Sequence, residues 1–205
     1  MKQNQDFNFE LKRKLFHLGS LIFPLIYLFM DRLSMSVLLL IISIVTLYLD
    51  ISRNYDAKIK GVIENIFGHL LRKEEESGNF ALSGASFMAL GFLITCLLFA
   101  KGLAITSWLI LTISDCLAAI FGLRYGTKLS NGKSLVGAGV FFLSTLIISI
   151  ISFFLVNYYT TFKIIILSSI LTTLMEFYSN KIRFNDNLSI PLTYCLSTVF
   201  WGLFF

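Results

Sequence analysis

The chain has 205 residues, of which 56% are hydrophobic and only 14% charged, with 17 Lys+Arg against 12 Asp+Glu. A soluble domain of this size carries about a quarter of its residues charged, so a soluble globular protein is excluded. The apolar residues come in long continuous runs, which also excludes a disordered chain, a disulfide scaffold and a β-barrel and leaves an all-α integral membrane protein, one polytopic domain over 1–205.

The formal net charge of +5 reads as a topology signal, and no nucleic-acid partner is expected. Cys96, Cys116 and Cys195 lie singly inside apolar runs and read as inert packing. The polar stretch 1–14 precedes an apolar run with no small-residue cleavage site after it, so no removable signal peptide is expected.

Measured against the ~20 residues that a bilayer core requires, the runs predict spans near 15–30, 33–49, 81–100, 102–122, 138–157, 162–178 and 188–205. The first two are short and separated by only Asp31 and Arg32, so a re-entrant hairpin is the alternative there. Of the 17 basic residues only Arg32, Lys101 and Lys163 fall in one set of connections, and the rest fall in the other. Short cytoplasmic loops carry the excess, which predicts a cytoplasmic N-terminus and an external C-terminus. Between the second and third spans, Ile59, Val62, Ile63, Ile66, Phe67, Leu70 and Leu71 recur at helical spacing. They predict an interfacial amphipathic helix over about 57–73, or a connecting helix packed on the bundle. Glu74, Glu75 and Glu76 follow as a solvated loop, and His69 on the polar face has no assigned role.

Asp115 lies inside the fourth span and Glu176 near the cytoplasmic end of the sixth. An ionisable group within a span is expensive and marks a functional site by default, the plain alternative being a carboxylate held by an interhelical hydrogen bond. The loop of about 123–137 contains Arg124, Gly126, Lys128, Gly132, Lys133 and Ser134, glycines for close backbone approach and cations for charge, which suits a polyphosphate. It is not a P-loop, because Gly126 and Gly132 enclose five residues instead of four and a membrane helix precedes them. Asp186 and Asn187 read as the cap of the last span, with Pro191 in its first turn. Asp115, Glu176 and Asp186 also form a candidate Mg²⁺ set. Arg13 and His17 share one helix face at the start of the first span, the usual position of an interfacial anchor. Gly122 and Gly126 at i,i+4 suit a close helix contact. Every dense polar patch lies on the cytoplasmic side of this topology, which favours an enzyme over a transporter or scaffold, since a transporter needs a path to both faces.

Taken together these residues resemble the CTP-dependent lipid-alcohol kinases, the family of dolichol kinase, phytol kinase and the CTP-using diacylglycerol kinase. The resemblance rests on Arg13-Lys14-x-x-His17, Asp50-x-x-Arg53, Arg72-x-x-Glu75, Leu82-Ser83-Gly84-Ala85, and Asp115-x-x-Ala118-Ala119-x-x-Gly122-x-x-x-Gly126 followed by Gly132-Lys133-Ser134, with Glu176, Asp186-Asn187 and Pro191 beyond. It implies γ-phosphoryl transfer from CTP to the hydroxyl of a membrane lipid alcohol with Mg²⁺. Asp115 and Lys133 would be catalytic, and Asp115, Glu176 and Asp186 would bind metal. Arg124, Lys128, Lys133, Ser134, Gly122, Gly126 and Gly132 would bind nucleotide. Arg13, Lys14, His17, Arg53, Arg72, Glu75, Gly84 and Asn187 are further candidates. The chain departs from the family at Val136, where relatives carry a glutamate. Part of the aspartate-glycine pattern is shared with phosphatidate cytidylyltransferases, whose longer lysine-rich motif and C-terminal signature are absent.

Overall fold

The computed structural model describes residues 11, 13–15, 17–53, 55, 56, 58, 60, 61, 82–156, 160–182 and 184–205. Most of the expected interfacial helix, with His69, Arg72 and Glu75, lies outside them. Every described element is helical. A helical N-terminal stretch passes through a 3₁₀ turn, Gly19–Leu21, into α1 (Ile22–Phe29), and α2 (Arg32–Ser52) and α3 (Gly84–Leu98) follow. Then come α4 (Lys101–Leu109), a π-helical segment (Ile110–Ser114) and α5 (Asp115–Tyr125), which form one continuous rod. The chain ends with α6 (Leu135–Leu155), α7 (Phe162–Ile182) and α8 (Asp186–Gly202).

Each of the seven expected runs coincides with helix. Among the described residues four rods are long and apolar enough to cross a membrane: Arg32–Ser52, Lys101–Tyr125, Leu135–Leu155 and Phe162–Ile182. The starts are locally encoded. Asp31, Ser83 and Ser134 each accept a hydrogen bond from the backbone N–H three residues on, capping α2, α3 and α6. For α8 the cap is Asn185, one residue earlier than the sequence suggests, so Asp186 enters the first turn with its carboxylate free for other partners. Pro191 lies inside α8 instead of in its first turn and cannot donate to the Asn187 carbonyl. The α3 backbone closes on that place: a Cβ on Gly91 would stand 2.8 Å from the Asn187 oxygen and 3.3 Å from the proline ring.

The rod α4–α5 is the central element, 72% buried over its apolar window against 28% for α2 and α6 and 39% for α7. It packs against α1, α3, α6 and α8, while α2 packs on α3 and α7 on α6 and α8. Large apolar side chains such as Ile41, Ile44, Leu143, Ile147, Phe154 and Leu174 point outward, and Thr95, Thr106, Thr145, Ser149, Ser168 and Thr172 are buried. This inversion suits a lipid solvent, where burial of apolar groups gives no gain and helices associate through packing and hydrogen bonds. Tyr194 Oη donates to Ser149 Oγ at 2.6 Å, and Thr198 Oγ1 to Ser168 Oγ at 3.2 Å, tying α8 to α6 and α7.

At one end, cations close the helix termini. Lys101 Nζ donates to the carbonyls of Leu28 and Met30 at 3.1 and 2.8 Å and lies 5.2 Å from the Tyr27 ring, while Arg32 donates to the Leu97 carbonyl. Below this end, Tyr27 and Phe92 stack on the two sides of Trp108, with centroids at 5.2 and 4.6 Å, and Trp108 Nε1 donates to Thr95 Oγ1 at 2.7 Å. Trp108→Ala is expected to destabilise the detergent-solubilised protein by about 3–5 kcal/mol, read from its unfolding transition against the parent chain.

Candidate functional site

The π segment brings Asp115 to the interior. Its wider hydrogen-bond ring loosens the backbone ladder immediately before this residue, a feature frequent at functional sites. Asp115 is 2% exposed at the start of α5. Lys14, itself buried, donates to its Oδ2, and His17 Nε2 stands 3.8 Å from the same oxygen and 3.3 Å from the Leu111 carbonyl of the π segment. Cys116 Sγ lies 3.7 Å from the Lys14 carbonyl. The Arg13-Lys14-x-x-His17 motif is therefore the wall against which Asp115 is set. A buried charge needs such a partner, since removal of one member of a buried pair costs about 3–5 kcal/mol.

A second ion cluster adjoins it. Lys133 Nζ lies 2.5 Å from Glu176 Oε1 and 2.9 Å from Asp186 Oδ2. Burial acts to lower the Lys133 pKa, and Asp186, Glu176 and Asp115 outweigh it, holding the ammonium above the ordinary lysine range. With the folded value raised, the pairing contributes fully below the ordinary lysine value of 10.5 and fades only as pH rises through the higher folded value. Lys133 is aimed by an asparagine clamp that sequence reasoning missed. Asn131 Nδ2 donates to the Phe177 carbonyl at 2.7 Å, Asn180 Nδ2 donates to the Asn131 carbonyl at 3.0 Å, and Asn131 Oδ1 accepts from the Lys133 N–H at 3.1 Å. The available signal is the Asn131-Gly132 turn dipeptide, with Gly132 at φ +78°.

Gly122, Gly126 and Ser134, all expected to bind nucleotide, build a joint together with Gly137. A Cβ on Gly122 would stand 2.7 Å from Ser134 Oγ, one on Gly126 would overlap the same side chain, and one on Gly137 would lie 2.9 Å from the Ala118 carbonyl. These glycines let α5 meet the start of α6 backbone to backbone, while Ser134 Oγ accepts from the Gly137 N–H at 3.0 Å. On the opposite side Asp50 Oδ2 accepts from the Ser83 N–H and from the hydroxyls of Ser83 and Ser86 at 2.6–2.8 Å, with Arg53 3.5 Å from its other oxygen. Asn187 Nδ2 donates to the Gly84 carbonyl at 2.8 Å. The separate motifs at 50–53, 82–85 and 186–187 thus form one polar corner.

Two cavities meet here. The larger, about 750 Å³, has a polar end at Arg13, Lys14, His17, Asp50, Arg53 and Asp115, and apolar walls that include Phe23, Leu39, Ile42, Met88 and Phe92. The smaller, about 150 Å³, is lined by Lys128, Gly132, Lys133, Ser134, Glu176 and Asn180 among others. Arg13, Lys14, Asp115 and Asp186 line both. Arg124 lines neither and lies on the surface 5.4 Å from the Tyr125 ring. Val136 is 40% exposed and also lines neither, so the departure from the resembled family falls outside both cavities.

Among the described residues no three His, Cys, Asp or Glu side chains are grouped to hold a metal ion. Lys133 stands between Glu176 and Asp186, and Lys14 is on Asp115. Asp186 Oδ1 is buried without a hydrogen-bond partner.

The joint is testable apart from any activity. Gly137→Ala is expected to lower stability by about 1–3 kcal/mol through overpacking. Gly139→Ala, where a Cβ meets nothing within 4 Å, is expected to leave the unfolding transition in place or raise it slightly.

No family model matches the sequence, and no solved structure matches it. The chain is 54% identical over 196 residues to the uncharacterized protein RP860 of Rickettsia prowazekii, covering 96% of each. It is 30% identical over 186 residues to the uncharacterized protein MJ1137 of Methanocaldococcus jannaschii, covering 89% of this chain and 88% of that one. With that coverage both matches take in most of the helical bundle, and the chain belongs to the family of RP860 and MJ1137.

Proposed function

We propose that the chain is a seven-span membrane kinase that transfers the γ-phosphoryl group of CTP to the hydroxyl of a lipid alcohol, a polyprenol, phytol or diacylglycerol. The observation that carries this reading is the junction of the two cavities: an apolar chamber of lipid dimensions and a small polar cleft share Arg13, Lys14, Asp115 and Asp186. A lipid body in the first brings its hydroxyl to Asp115. A triphosphate in the second meets Lys128, Lys133 and Arg13. Phosphoryl transfer asks the protein mainly for alignment and for charge stabilisation. The lipid oxygen forms a bond to the γ-phosphorus, the bond from that phosphorus to the β–γ bridging oxygen breaks, and CDP leaves. Asp115 takes the hydroxyl proton, and Lys14 and Lys133 neutralise phosphate oxygens.

Asp186 Oδ1 and its neighbour Glu176 would hold the Mg²⁺ that this reading requires with the triphosphate. When bound it would supply charge neutralisation on the phosphates.

The cytoplasm faces the site and the N-terminus. Support comes from the basic residues at the far end, each of which is engaged structurally. Lys101 and Arg32 close helix ends, and Lys163 lies 5.7 Å from the Phe205 ring. The remaining Lys and Arg therefore carry the positive-inside signal with little dilution.

Purified protein with Mg²⁺, γ-labelled CTP and each alcohol in turn is expected to move label into the organic phase. Chelation of the metal should abolish it and added Mg²⁺ restore it. Asp115→Asn, which keeps the side-chain shape, is expected to lower transfer by about 10²–10⁴-fold, and also to lower the unfolding transition because Lys14 loses its buried counter-charge. Entry of α-label into lipid with pyrophosphate release would instead identify a cytidylyltransferase. Absence of nucleotide binding would reject both enzymes in favour of a transporter or scaffold.

A further inference from the structure

The two helices that follow one another at the start of the chain do not pack together along their length. α1 rests on α4, whereas α2 rests on α3. They stay joined at Met30 and Asp31, where Tyr27 on one and Met35 and Leu39 on the other are buried in the core. Toward the Asp115 end the larger cavity lies between them as a wedge: Gly19 and Ser20 of the 3₁₀ turn with Phe23 of α1 line one side, and Ile42, Thr46 and Leu49 of α2 the other.

The wedge reaches the outer surface. Leu15 and Leu49 line the cavity yet are 54% and 39% exposed, and Gly19, which also lines it, is exposed as well. The surface on both sides of this opening is apolar, with Ile22 and Leu25 on α1 and Ile41 and Val45 on α2 at about half exposure. α2 is one of the rods long and apolar enough to cross a bilayer, so a seam at this depth opens onto acyl chains and not onto water. The interior walls are apolar up to the polar corner, which is the arrangement that lets a chain slide in while its hydroxyl travels toward polar partners.

We infer that the lipid acceptor enters sideways from the bilayer through the seam between the N-terminal helix and α2, with its hydrocarbon chain lying between Gly19 and Thr46 and its hydroxyl directed toward Asp115. The identity of the occupant as the acceptor rests on the kinase reading above; the seam as a hydrocarbon-binding channel does not. Gly19 is the lining position with room for an added side chain. A Cβ there meets nothing within 4 Å, so a bulky residue can be introduced at the rim of the opening to test it.

The test needs no nucleotide. Protein in phosphatidylcholine vesicles is irradiated with hexadecanol carrying a mid-chain alkyl diazirine, whose carbene inserts into neighbouring C–H bonds with loss of nitrogen, and the adducts are mapped by peptide mass spectrometry. Adducts concentrated within residues 15–23 and 39–49, and competed by unlabelled long-chain alcohol, are expected. Gly19→Trp is expected to reduce them at least fivefold. Gly139→Trp, the same bulk on an exposed glycine of α6 that lines neither cavity, is expected to leave them unchanged. Thr46→Phe blocks the opposite lip and serves if Gly19→Trp elutes as aggregate. Adducts on α6 and α7 in place of α1 and α2, or labelling of the seam that neither lip variant reduces, would overturn the proposal, and the map of the unaltered chain decides this alone if both variants misfold. Labelling of the seam without phosphate transfer in any assay would leave the channel standing and remove the kinase.

Discussion

A carboxylate in the middle of an apolar rod is the constraint around which the bundle is arranged. Asp115 cannot sit in a low-dielectric interior without a counter-charge, and Lys14 is folded back to supply it from a segment a hundred residues away. This draws the N-terminal helix against the π segment, with His17 resting on the Leu111 carbonyl. Because the N-terminal helix is pulled inward there, and α2 leans on α3 instead, the wedge between them is left open. The site and the chamber beside it thus have one origin.

The opposite wall of the site is set by backbone proximity instead of charge. Gly122, Gly126 and Gly137 let α5 and the start of α6 approach until Ser134 fills the remaining space. The loop between them can then turn back over the bundle, and the asparagine clamp points its lysine at Glu176 and Asp186. Two lysines answer three carboxylates across this small region, with Arg13 and Lys128 at its edge. The result is a cleft with little net charge of its own.

Much of this was legible from residue type alone. Ionisable groups inside apolar spans are few, so Asp115 and Glu176 stood out, while Lys133 was marked by its glycine-rich loop and Asp186 by its place before the last span, and the four do gather at one end of the bundle. Which cation meets which carboxylate was not legible, since pairing depends on how helices rotate and cross. The glycines were ambiguous for a related reason: approach to a phosphate and approach to another backbone ask the same thing of a residue, and Gly122, Gly126 and Gly137 serve the second while Gly122 and Gly137 also line the smaller cavity. Arg124 looked like its neighbours in composition, yet the helical turn carries it to the surface. The start of α8 shifted by one residue because Asn185 competes with Asp186 for the capping role, and a local competition between two good caps is decided by what else each side chain can reach.

The π segment divides the central rod into two halves with independent phase. One residue advances an α-helix by about 100°, so a single extra residue in a turn rotates everything after it by that angle relative to everything before. Above the segment, Trp108 is oriented for the aromatic stack; below it, Asp115 is oriented for Lys14. An uninterrupted α-helix could satisfy one orientation or the other. Insertions and deletions within Ile110–Ser114 therefore act as rotations of the half that carries Asp115 against a stationary core, and length variation in this stretch changes which residue, if any, presents itself to the cavities.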